Sequence, residues 1–106
     1  MNYTLDVCGN KKIQNPTPSD IQQAVLGLNT KKGDAFLILG PTDTTYIQAG
    51  GDQKVGFDVE YQQDDTQHHY RATSAFTSDD VVNIFVSYLN HTEDWKQMTG
   101  WEKITW

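Results

Sequence analysis

Cysteine occurs once in the 106 residues, as Cys8. No internal disulfide can form, and a lone thiol suits a reducing compartment. Long apolar runs are also missing. The longest, residues 35–39, has five residues, against the roughly 18 needed to cross a bilayer. The first residues show no basic stretch followed by an apolar one, so no signal peptide is expected. Basic side chains are few: 8 Lys and Arg stand against 14 Asp and Glu, for a net charge of −6. The shortage lies in one half. Residues 1–56 carry five charges of each sign, whereas residues 57–106 carry nine acids against Arg71, Lys96 and Lys103. Nucleic-acid binding needs a basic footprint that releases phosphate counterions, and docking on anionic lipid needs one too. Both are excluded on charge. A basic partner reached by electrostatic steering is compatible with it.

What is present is ordinary for a folded domain. Apolar residues make up 37% of the chain, and the length suits one domain with a sizeable core. No repeat, low-complexity tract or long linker divides it, so residues 1–106 read as one domain, soluble and cytoplasmic.

The local signals predict an α+β fold. Residues 3–7 alternate as a first strand and stop at the turn pair Gly9-Asn10. Residues 11–18, with Pro16 and Pro18, read as a connection. Thr17 is placed to cap a helix, with Pro18 at its first position and Asp20 completing a capping box. Ile21, Ala24, Val25 and Leu28 then share one face, and Asn29 is expected as a left-handed terminator. The continuous apolar run 35–39 predicts a central strand covered on both faces. Residues 45–49 follow as a strand, and Gly50-Gly51-Asp52 as a turn. Residues 54–61 alternate most clearly: Val55, Phe57, Val59 and Tyr61 on one face, Lys54, Gly56, Asp58 and Glu60 on the other. A polar turn over 62–66 leads to a strand over 67–72. Thr77 and Asp80 form a second capping box before the apolar stripe Val81, Ile84, Phe85, Tyr88 and Leu89, which ends near Asn90. Residues 99–106 read as a last strand. The expected order is β-α-β-β-β-β-α-β: a mainly antiparallel sheet of about six strands, with both helices on one face.

Chemistry-bearing patterns are sparse. His68 and His69 are adjacent on a strand and so point to opposite faces. His91 and Cys8 lie far away in sequence, and no metal-ligand spacing is present. No nucleophile elbow or phosphate-binding loop occurs. No cofactor or metal is therefore expected, although an acid–base pair such as Asp58 with His69 is left open. The three tryptophans fall within the last twelve residues. Trp101 is expected beneath the second helix. Trp95, in a polar stretch, and Trp106 are the candidates for partial exposure, with Trp95 a contact anchor. Asp58 and Glu60 on a wet strand face, with Asp64 and Asp65 at its end, form the densest acidic group. They read either as charges that face a basic cleft or as a solvated face that blocks edge pairing.

Several stretches in this order resemble a known family. They are Ala35-Phe36-Leu37-Ile38-Leu39, Thr45-Tyr46-Ile47-Gln48-Ala49-Gly50-Gly51, Val59-Glu60-Tyr61, His69-Tyr70-Arg71-Ala72, Asp79-Asp80-Val81-Val82 and Gly100-Trp101-Glu102. With their spacing they resemble immunity protein family one of bacterial polymorphic toxin systems, over about residues 13–104. The resemblance implies an α+β fold with a tryptophan near the C-terminal end, matched by Trp101. It also implies a protein that binds and blocks a cognate toxin, often a nucleic-acid deaminase, with no catalytic residue of its own. Asp58, Glu60, Asp64, Asp65 and Trp95 are then the expected partner contacts. Two other readings compete: a small enzyme using His68, His69 or His91, and an acidic DNA-mimic inhibitor of a nucleic-acid enzyme.

Overall fold

The structure is a computed structural model that describes residues 2–33 and 35–104. Among these described residues, two helices and seven strands follow in the order β1 (Thr4–Val7), β2 (Lys11–Gln14), α1 (Pro18–Gly27), β3 (Phe36–Gly40), β4 (Tyr46–Asp52), β5 (Gly56–Gln63), β6 (Asp65–Ala72), α2 (Ser78–Leu89) and β7 (Trp101–Lys103). Short 3-10 turns lie at Thr30–Lys32 and Asp94–Gln97. All strands join one antiparallel sheet in the order β2-β1-β3-β4-β5-β6-β7. The fold is α+β, with both helices on one face.

Both helices start as their sequences dictate. Thr17 accepts from the Asp20 N–H and the Asp20 carboxylate accepts from the Thr17 N–H. Thr77 and Asp80 repeat the arrangement at α2. Orphan backbone donors of the first turn are thereby satisfied. Ile21 and Val25 of α1, and Val81, Ile84 and Phe85 of α2, meet Leu5, Leu37, Leu39, Ile47, Ala49, Phe57 and Val59 of the sheet in one buried cluster. Asn29 departs from its expected role. It is extended rather than left-handed, and its side chain caps the following 3-10 turn through the Lys31 N–H.

Four other expectations need correction. Residues 11–14 form an edge strand rather than a connection, paired from Thr4 with Gln14 to Val7 with Lys11. Only Ile13 in that strand is apolar, and its lysines suit a solvated edge. β3 is covered on one face only: Leu37 and Leu39 are buried, whereas Phe36 and Ile38 are half-buried on the other side. β4 runs through Gly50 and Gly51 to Asp52, so the turn lies at Gln53, Lys54 and Val55, and Val55 is 69% exposed instead of facing the core. Gly51 is required there. Its φ is +126°, and a Cβ would meet the Gly56 carbonyl oxygen at 2.1 Å. The last strand is shorter than residues 99–106, and Trp106 lies outside the described residues.

Asp52 ties this turn to the chain after α1. Its carboxylate accepts from the Thr30 N–H and hydroxyl at 2.9 and 2.8 Å, and from the Lys54 and Val55 N–H groups at 2.9 and 3.0 Å. These bonds, that from the Thr30 N–H foremost, hold the carboxyl well below the usual range.

Candidate functional site

With both helices on one face, the residues of opposite strand parity make an open face. One row across it runs Lys12, Asp6, Ile38, Gln48, Glu60, Arg71 and Glu102. A neighbouring row joins Phe36, Gly50 and Asp58. The centre is partly apolar, because Phe36, Ile38 and Tyr46 are half-buried without a helix over them. Two depressions flank Gln48. The larger, about 430 Å³, is bordered by Asp6, Lys12, Ile38, Asp43 and Tyr46. The smaller, about 240 Å³, is bordered by Phe36, Gly50, Asp58 and Glu60.

A buried polar group underlies this face. His69 is 2% exposed. Its Nε2 lies 2.6 Å from a Glu60 oxygen and its Nδ1 lies 3.1 Å from Gln62 Oε1. Gln62 donates its amide N–H to the Thr44 carbonyl at 3.0 Å, so its oxygen is the atom turned to the histidine. The ring thus meets a carboxylate at one nitrogen and an amide oxygen at the other. The Tyr46 ring packs edge-on to His69 at 6.2 Å. Burial, and then the Glu60 charge, push the Tyr46 hydroxyl upward.

The four expected acids therefore separate. Asp58 is exposed on the open face, and its carboxylate meets no hydrogen-bond partner among the described residues. Glu60 shares that face but is committed to His69. Asp64 forms the tip of the β5–β6 hairpin, with φ at +71°. Asp65 accepts from His68 Nδ1 at 2.8 Å and from the Gln67 N–H at 2.9 Å. Its carboxyl is held below the usual range, first by the His68 bond.

Trp95 is the residue the sequence misplaces. It is 5% exposed, so it is not the protruding anchor that its polar surroundings in the sequence suggest. Its backbone N–H is held by the Ser87 hydroxyl of α2 at 3.2 Å, and its ring packs against Tyr61, Trp101 and Tyr88. Trp101 is half-buried at the edge of the same cluster, with its indole N–H donated to the Lys96 carbonyl at 3.0 Å. Asp64 and Trp95 do border one cleft, on the helix side of the hairpin tip. The histidines do not converge. His69 lies within the open face, His68 is exposed beside Asp65, and His91 contacts the Tyr3 hydroxyl at 3.2 Å.

Among the described residues, no group of three His, Cys, Asp or Glu is placed to hold a metal ion. Among them too, no helix is long and apolar enough to cross a membrane. Comparison with family models, curated proteins and solved structures finds no match for this chain.

Proposed function

We propose that this chain is a cytoplasmic immunity protein that binds a basic cognate toxin, of the nucleic-acid deaminase class, and occludes its active site. The observation that carries the reading is the open sheet face. Its centre offers the apolar groups Phe36, Ile38 and Tyr46, and its depressions are rimmed by Asp6, Asp43, Asp58 and Glu60 together with Lys12. An apolar centre with a polar rim is the usual anatomy of a protein interface. A toxin that acts on nucleic acid carries a basic groove, and acidic rim groups would speed its capture. The family resemblance supplies the class of toxin. Inhibition in this reading is steric and electrostatic, without chemistry and without a cofactor.

The test is association with the toxin encoded beside this chain. Reversal of Asp43 and Asp58 to lysine, with Glu60→Gln to keep the contact with His69, should slow association and flatten its salt dependence. A folded variant with unchanged kinetics rules the acids out. Failure to bind that toxin at all, with binding to another nucleic-acid enzyme, favours the DNA-mimic reading.

A further inference from the structure

The cleft on the helix side of the hairpin tip has a chemistry of its own. It encloses about 250 Å³ between β5 and the segment after α2. Tyr61 and Trp95 meet edge to face there, with centroids 4.8 Å apart and planes at 81°, so their rings form a corner. Tyr88 and His91 extend the aromatic wall, and Asp64 and Glu93 stand at the rim. Lys96 reaches into this corner. Its ammonium lies 5.4 Å from the Trp95 centroid and 5.9 Å from that of Tyr61, and 3.2 Å from a Glu93 oxygen. Glu93 occupies the cap position of the 3-10 turn but makes no capping bond with its side chain. Its carboxylate serves the ammonium instead.

An ammonium set against two aromatic rings and one carboxylate is the arrangement that recognises alkylammonium groups. Here the chain supplies that ammonium itself, through contacts that are easily given up. The ion pair is solvent-exposed, with Glu93 at 72% and Lys96 at 36% exposure, and such pairs are weak. We propose that the Tyr61–Trp95 corner is a binding site for a lysine side chain of the partner protein, and that Lys96 fills it in the free chain as an internal stand-in. The source of the incoming lysine rests on the basic partner proposed above; the site itself does not. Asp64, at the hairpin tip, lines the same cleft and adds a second carboxylate to it. Lys96 also acts as a competitor: the apparent affinity of an external lysine is reduced by the fraction of time Lys96 occupies the corner.

The experiment titrates the full chain with Nα-acetyl-lysine methylamide and follows the assigned Trp95 resonances by NMR. The uncharged Nα-acetyl-norleucine methylamide is the control. Lys96→Met removes the internal charge and keeps the aliphatic stem. It should bind the lysine probe roughly tenfold more tightly than the unaltered chain, and should ignore the norleucine probe. Adding Glu93→Gln should lose most of that gain. If Lys96→Met disturbs the fold, Lys96→Gln at the same surface position gives the same comparison. No tightening in the folded variant, or equal response to both probes, overturns the proposal. Because no toxin is needed, such a failure is distinct from failure of the open face to bind its partner.

Discussion

On the helix side of the sheet, Leu5, Leu37, Leu39, Ile47, Ala49, Phe57 and Val59 are exposed by 1% or less. On the other side the same strands present Asp6, Ile38, Gln48, Asp58 and Glu60, none of them buried. The two faces are separated by the thickness of one sheet, yet different constraints act on them. The covered face must be filled to crystal-like density, so volume and shape are fixed there. The open face must only remain compatible with strand pairing, so its side chains are free to serve a partner. The His69–Glu60–Gln62 group is the exception, because it is a buried polar network on the otherwise adaptable side.

The difference predicts a gradient of mutational cost. Phe85→Ala, in the middle of α2 and unexposed, should lower unfolding free energy by about 3–5 kcal/mol in denaturant titration. A loss of the size seen at the surface would remove the distinction between the faces. Glu60→Ala should cost about 1–2 kcal/mol, a figure already reduced for the carboxylate's partial exposure, because it removes the 2.6 Å contact to the buried His69 ring. An unchanged melting temperature would mean that His69 finds another acceptor. Thr77→Ala, which deletes the α2 cap, should cost about 1 kcal/mol and leave the sheet's hydrogen exchange pattern intact.

Acid gives a further contrast. The Asp52 carboxyl is held low by its four hydrogen bonds in the folded state, while in the unfolded chain it titrates near the ordinary value of about 3.9. Its contribution is therefore complete above about pH 4 and is lost as pH falls toward the folded value, since the unfolded state then binds more protons. Asp52→Asn should flatten the acid limb of a stability–pH profile. An unaltered limb would place the acid sensitivity elsewhere.

The covered side was the legible one. Capping boxes and the 3.6-residue stripes located both helices, because those signals are local. Strand β2 leaves little trace in the sequence, because Lys11-Lys12-Ile13-Gln14 has one apolar residue and resembles a charged linker, although an edge strand needs little more. Phe36 and Ile38 made β3 look two-sided, when they belong to the partly apolar centre of the open face. The four acids are legible as residues, but the group that the sequence makes of them is one that the structure separates. The shift of pairing between Gln62 and Gln63 decides that His69 meets Glu60, and no local pattern announces a bulge. Trp95 looked exposed because Asp94, Lys96 and Gln97 surround it in sequence. The 3-10 turn folds its ring back onto α2, a long-range outcome. The aromatic corner and its resident Lys96 had no sequence signature at all.

The functional reading is tested most directly at Asp58, an exposed acid near the centre of the open side. Asp58→Lys should leave stability within about 0.5 kcal/mol of the unaltered chain. The decisive measurement is its rate of association with the basic toxin proposed as its partner, across a range of salt concentrations. The open-face account predicts a rate about tenfold lower at low salt, converging on that of the unaltered chain as salt rises. An unchanged rate and an unchanged salt dependence, in a variant that melts normally, would contradict it.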